Sequence, residues 1–179
     1  MSVPTGAGAA LKNGSRPSKP FARPPSVSTM KLPPDWSEFI GLLAAHRVRY
    51  LIVGAHALAA NGRPRATQDI DVWVEPTAAN AARLCAALAD FGFTDLAEAV
   101  DQFATPGRMA TLGNPPLRID IMTSIDGVAF DEGWAGRLEA RLDEHTVPFL
   151  GREQLIRNKQ ASGRPKDLAD IALLTEGND

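Results

Sequence analysis

The sequence predicts an α/β (α+β) fold, a mixed β-sheet flanked by helices and closed by a C-terminal helical pair. Three observations predict it. Short apolar runs of strand length, RYLIVG at 49–54 and DIDVWV at 69–74, alternate with longer segments of helical spacing. A hairpin pattern lies mid-chain: RMATL, a turn at Gly113-Asn114-Pro115-Pro116, then LRIDIMTSI. A hairpin inside an alternating chain makes the sheet mixed rather than all-parallel. Two helical segments, 152–161 and 166–174, are separated by Ser162-Gly163-Arg164-Pro165, with Gly past one helix end and Pro opening the next.

The elements follow in order. Residues 1–34 are rich in Pro, Ser, Gly and Ala. They bury too little apolar surface to offset ordering entropy, so they read as a disordered basic tail, with Met30 as an alternative translational start. A single domain is expected over 35–179. Asp35 is placed to cap a helix running to about His46, with Phe39, Leu42 and Leu43 on one face. RYLIVG suits a strand buried on both faces, ended by Gly54. AHALAA makes a short helix stopped by Asn61-Gly62, and Arg63-Pro64-Arg65 loops into DIDVWV. Thr77 caps a helix to Phe91, with Leu84 and Leu88 at helical spacing. Residues 93–107 give no clear pattern. Phe130 to Leu142 reads as a helix, and HTVPFL as a last short strand.

Composition narrows the function. The 179 residues are 44% hydrophobic and 22% charged, ordinary for a globular domain. The single cysteine, Cys85, excludes an internal disulfide and sits in a helical run as a small core residue. No apolar run reaches the ~18 residues of a membrane span, and no signal-type apolar region opens the chain, so a cytoplasmic protein is expected. The net charge of −2 hides an asymmetry. Residues 1–34 hold five basic residues and no acidic one, leaving 14 basic and 21 acidic residues beyond them, a net of −7. A domain that acidic is not a generic nucleic-acid binder.

The chemistry-bearing stretch is 50–75, YLIVGAHALAANGRPRATQDIDVWVE. Asp69 and Asp71 lie two apart on a strand and so share one face, roughly 7 Å apart at about 3.3 Å rise per residue. Asp is depleted in strands, and two like charges on a short apolar strand need a reason. A hard divalent cation supplies one; a solvated edge strand that resists aggregation is the plainer alternative. Asp120 lies on the later strand, on the face of Arg118 and opposite Ile119 and Ile121, where pairing with Arg118 is its ordinary role. Should the two strands be adjacent, three carboxylates converge, a set suited to holding divalent ions for phosphoryl transfer. Gly54-Ala55 leads from strand to helix, a geometry that favours anions. Arg63 and Arg65 are either solvated loop residues or phosphate contacts, and Thr67 is a turn or orienting residue. Asp167 complements a helix dipole, and Lys166 and Asp170 make an i, i+4 pair. His46, His56 and His145 lack metal-ligand spacing; His56 is notable for starting the helix beside the candidate phosphate-binding turn.

The pattern Gly54-Ala55 … Thr67-Gln68-Asp69-Ile70-Asp71, followed by a later strand carboxylate, resembles the signature of the nucleotidyltransferase (polymerase β-like) superfamily. Its size, and the C-terminal Leu155-Ile156-Arg157-Asn158-Lys159 … Gly163-Arg164-Pro165-Lys166-Asp167-Leu168-Ala169-Asp170, are similar to bacterial minimal and abortive-infection toxin-like nucleotidyltransferases. The resemblance spans about residues 35–176 and implies a nucleotidyltransferase-like sheet. It also implies Mg²⁺ (or Mn²⁺) held by Asp69, Asp71 and Asp120, with Asp120 as the base for an acceptor hydroxyl. Gly54, Ala55, Arg65, Thr67 and Lys159 would bind the nucleotide. Ala55 departs from the usual Ser or Gly and lacks a phosphate-binding hydroxyl. The implied reaction moves an NMP from an NTP to RNA (a tRNA end included), a protein or a small molecule. Two other expectations stand beside it: a toxin–antitoxin component that acts by binding a partner protein, and a weakly active or inactive relic of the fold.

Overall fold

The structure, a computed structural model, describes residues 31–96 and 98–176. The expected tail lies outside that range up to and including Met30, while Leu32, expected within it, is buried in the core. Among the described residues, seven helices and six strands follow in the order α1 (Pro34–Ala45), β1 (Tyr50–Ile52), α2 (Gly54–Ala60), β2 (Asp69–Val74), α3 (Ala78–Asp90), α4 (Ala99–Ala104), β3 (Met109–Leu112), β4 (Arg118–Met122), α5 (Phe130–Ala135), β5 (Leu138–Leu142), β6 (His145–Phe149), α6 (Arg152–Ser162) and α7 (Pro165–Thr175). No described helix is long and apolar enough to cross a membrane.

The strands form one mixed sheet in the order β3-β4-β2-β1-β6-β5. The β3–β4 and β5–β6 hairpins lie at its two edges. β2 pairs antiparallel with β1 and parallel with β4, and β1 pairs parallel with β6. The sheet is therefore mixed, as the mid-chain hairpin requires.

Strand alternation makes β2 two-sided. Ile70, Val72 and Val74 are fully buried on one face, and Ile119 and Ile121 of β4 stand beside Ile70 and Val72 in register. The other face carries Asp69 and Asp71, then Trp73. Trp73 is covered by α5: a side chain at Gly133 would meet its ring at 2.7 Å, and Phe130 meets it edge-on at 5.0 Å between centroids. One half of this face is thus packed, while Asp69 and Asp71 in the other half line a cleft.

Several expectations shift. α1 begins two residues early, on Pro34, with Pro33 as N-cap; Asp35 lies in the first turn instead of capping it. There it still complements the helix dipole. The strand at RYLIVG shrinks to Tyr50–Ile52, buried throughout, and Gly54 opens α2 rather than ending β1. Thr77 does cap α3, its Oγ1 accepting from the Asn80 amide at 3.3 Å. Residues 93–107 contain α4.

The helix expected over 130–142 is the clear error. It stops at Ala135, and Leu138–Leu142 is a strand. Gly136 caps the helix where a side chain would strike Gln154. The next five residues, LEARL, alternate apolar and charged: Ala140 and Leu142 are buried, Glu139 and Arg141 exposed. Pairing with β6 overrides the helical propensity of Leu, Glu, Ala and Arg.

Asn80 fastens α3 to the sheet. It is buried, its Oδ1 accepts from the Arg49 amide at 2.7 Å, and its Nδ2 donates to the carbonyls of Arg49 at 2.9 Å and Glu75 at 3.0 Å. Asn80→Ala strands these backbone groups. The expected loss is about 3 kcal/mol of unfolding free energy, read as a lower urea midpoint with an unchanged slope.

Candidate active site

A cleft of about 570 Å³ opens where the start of β2, the start of β4 and the β1–α2 turn meet α6 and α7. Its lining includes Gly54, Ala55, Arg65, Thr67, Asp69, Asp71, Asp120 and Lys159, all the residues implied by the resemblance. Backbone pairing brings the acids together. β2 and β4 run parallel in a register that sets Asp71 opposite Asp120 and Asp69 opposite Arg118. Arg118 Nη2 bridges two carboxylates, 2.6 Å from Asp69 Oδ2 and 3.1 Å from Asp120 Oδ2. Thr67 Oγ1 donates to Asp69 Oδ1 at 2.6 Å, and Thr111 Oγ1 donates to Asp120 Oδ1 at 2.8 Å. The edge-strand alternative for DIDVWV fails, since β2 is an interior strand. The pairing of Asp120 with Arg118, its ordinary role, is realised alongside the convergence.

The three acids differ in charge balance. Burial pushes Asp69 up, but the Thr67 hydroxyl and the Arg118 guanidinium, with Lys166 beyond them, hold its carboxyl below the usual range. Lys166 and Arg118 pull Asp71 down as well, but they are outweighed. Burial first, then the charges of Asp69 and Asp120, raise it to about 6. The surplus of negative charge therefore rests on Asp71.

Gly54 carries a different constraint from the one the resemblance implies. Its φ is +62°, and a Cβ there would lie 2.1 Å from Asp71 Oδ2. The left-handed backbone and the carboxylate each demand glycine, whatever binds above. His56, at the start of α2, lies beneath the site. It is buried and meets Trp36 edge-on at 5.4 Å. Burial lowers its pKa and outweighs the pull of Asp69 in the other direction.

The basic side of the cleft divides into used and unused charge. Lys159 is buried, 2.6 Å from Asp170 Oδ2 and 3.4 Å from Asp167 Oδ1. Asp167 and Asp170 are buried as well, so they do more than complement a helix dipole or make an i, i+4 pair. Arg164 Nε lies 2.7 Å from Asp167 Oδ2, and Arg65 Nε lies 3.6 Å from Asp170 Oδ1. Burial favours the neutral Asp167 acid, but Arg164 and Lys159 outweigh it and hold the carboxyl low. The expected Lys166–Asp170 pair does not form, because Asp170 turns to Lys159 and Arg65. Lys166 instead lines the cleft and acts on Asp69 and Asp71. Arg63 points elsewhere: it donates to the carbonyls of Leu173 and Glu176, closing the end of α7.

Sequence reasoning underrated Arg118, Thr111 and Lys166. Arg118 was visible as a face-mate of Asp120 two residues away. Thr111 required the hairpin register, and Lys166 required knowing which acid Asp170 faces.

Among the described residues, no set of three or more His, Cys, Asp or Glu side chains forms a ready metal cage. Two of the three carboxylates, Asp69 and Asp120, share the Arg118 guanidinium. The donor set nevertheless fits a cation. It is all oxygen, as hard divalent ions prefer, and a cation already bridges part of it.

Three outcomes are expected. Asp71 has a folded pKa above its unfolded value, about 3.9. Its contribution to stability is complete below pH 4 and lost as pH rises through 6. Asp71→Asn should therefore match the wild type near pH 4 and exceed it by about 2–3 kcal/mol at pH 8, measured by urea denaturation with a chelator present. Lys159→Met, which leaves two buried acids short of a partner, should cost about 3–5 kcal/mol. Lys166→Met should stay within ~0.5 kcal/mol of wild type in the same assay.

No protein-family model and no curated protein matches the chain.

Proposed function

We propose that this chain is a metal-dependent nucleotidyltransferase that moves an NMP from an NTP to a hydroxyl acceptor and releases pyrophosphate. One observation carries the reading: the parallel register of β2 and β4 places Asp71 opposite Asp120, beside Asp69, at the mouth of a cleft whose far side is basic. Repulsion of that kind is costly in a fold without a use for it.

Asp69, Asp71 and Asp120 would hold Mg²⁺ (or Mn²⁺), whose chemistry there is to neutralise phosphate charge and ease ionisation of a hydroxyl. The chain's own residues divide the remaining work. Lys166, Arg164 and Arg65 line the cleft with exposed or partly exposed cationic groups, suited to a triphosphate. Lys159 acts through them: its buried ammonium fixes Asp167 and Asp170, which orient Arg164 and Arg65. Gly54 and Ala55 contribute main chain at the first turn of α2, where amides lack intrahelical acceptors, so the absent hydroxyl at Ala55 removes one phosphate contact and leaves the amides. The acceptor oxygen bonds to the α-phosphorus, the bond from that phosphorus to the pyrophosphate oxygen breaks, and the acceptor's proton passes to Asp120. Thr111 fixes the orientation of that carboxylate.

Label transfer tests the reading. Purified protein is incubated with Mg²⁺ or Mn²⁺, each α-labelled NTP, and RNA or protein acceptors. Transfer by the wild type should vanish in Asp69→Ala/Asp71→Ala. Lys166→Ala should raise KM for the NTP by roughly tenfold, the size of one lost charge-assisted contact. Transfer that persists in the double variant would sink the carboxylate mechanism. Lack of transfer with every NTP and acceptor, together with a co-purifying protein, favours the partner-binding alternative.

A further inference from the structure

Arg118 occupies an unusual position for a cleft arginine. It starts β4, pairs in register with Asp69, and stands two residues before Asp120 on the same strand. Its reach to both carboxylates is set by the sheet rather than by a loop. A single nitrogen, Nη2, serves both acids, at 2.6 and 3.1 Å. The rest of the guanidinium is poorly used: Nε is buried with no hydrogen-bond partner, although the side chain as a whole is 37% exposed. A guanidinium fork matches phosphate as well as carboxylate, and this one has a donor to spare.

We infer that Arg118 is a tethered counter-cation, which a divalent ion must displace from Asp69 and Asp120 and which an incoming triphosphate draws away. The inference rests on the nucleotidyltransferase reading and adds to it a coupling between cation and nucleotide. A divalent ion coordinates carboxylate oxygens at about 2.0–2.6 Å. Two cations on the same oxygens repel, so Arg118 and the ion are alternatives. Without an anion, a displaced Arg118 gives up both carboxylates, and of the other acids lining the cleft Asp167 is already held by Arg164 and Lys159. A triphosphate gives it a partner. The ion alone therefore binds against the arginine, and the ion with nucleotide binds with its help. By linkage the coupling is reciprocal. The device keeps the acid cluster charge-compensated between turnovers and admits the ion mainly with its substrate.

Mn²⁺ binding by electron paramagnetic resonance reads this directly, without turnover. The full chain is titrated with Mn²⁺ alone and with Mn²⁺ plus an α,β-methylene NTP analogue, with the free Mn²⁺–analogue complex accounted for. The wild type should bind Mn²⁺ alone weakly and markedly tighter with the analogue. Arg118→Gln should bind Mn²⁺ alone roughly tenfold tighter than wild type, as expected for one charge-assisted bond removed. The benefit of the analogue should shrink by a similar factor. Arg118→Lys keeps the charge without the fork and should fall between. Circular dichroism confirms that each variant is folded; if Arg118→Gln is not, the Lys variant carries the comparison, and its Mn²⁺ affinity must exceed the wild type's. Measurable Mn²⁺ binding that is equal or weaker in the folded variant overturns the tethered-cation inference and leaves the metal site standing. Failure of wild type and variants alike to bind Mn²⁺, with or without the analogue, overturns the metal-dependent reading and this inference with it.

Discussion

Like charges do not come together in a folded chain unless something stronger holds them there. Here that force is the backbone pairing of β2 with β4. Five register pairs align the strands, from Asp69 with Arg118 to Trp73 with Met122, and Ile70, Val72, Ile119 and Ile121 are buried on one side of them. Slipping the register by one residue would turn the acids toward the apolar side and the isoleucines toward the cleft. Hydrophobic burial thus fixes the register, and the register fixes the distance between carboxylates. The features around it respond to that enforced proximity: Arg118 bridging two acids, Thr67 and Thr111 each donating to one, and Asp71 left with a proton affinity unusual for an aspartate.

The cleft's basic side follows a different rule. Its most buried cation, Lys159, is the least available, because two buried aspartates consume it. The groups at the surface of the network are the ones able to meet a ligand. A lysine's depth and its usefulness to a substrate are opposed here, which sequence position alone does not reveal. Asp167 and Asp170 join two helices of the C-terminal pair through Lys159, so the same ions that organise the anion side also hold α6 against α7.

Much of this was legible in the residues. Strict alternation exposed β2 and β4, and the face shared by Asp69 and Asp71 followed from it. The Gly163-Arg164-Pro165 break separated the last two helices, the glycine taking a left-handed φ of +63°. What escaped depended on pairing. LEARL is favourable to a helix by composition, and only its partner strand makes the alternation of Leu138, Ala140 and Leu142 decisive. The roles of Arg118, Lys166 and Asp170 depended on which of several oppositely charged neighbours each one meets. Spacing of three or four residues along a helix proposes one such partner, and tertiary contact supplied others. Arg63 shows the same limit: it sits two residues from Arg65 in a basic loop, yet it serves the carbonyls at the end of α7.

The missing side chain at position 54 reaches further than its own turn. Space that would hold a Cβ is filled by the Asp71 carboxylate, so the two residues interlock like a peg and its socket. Any larger residue at 54 must push the Asp71 carboxylate aside while holding a left-handed φ of +62°. The turn and the acid therefore form a single unit: a side chain at 54 and the present position of the Asp71 carboxylate exclude each other.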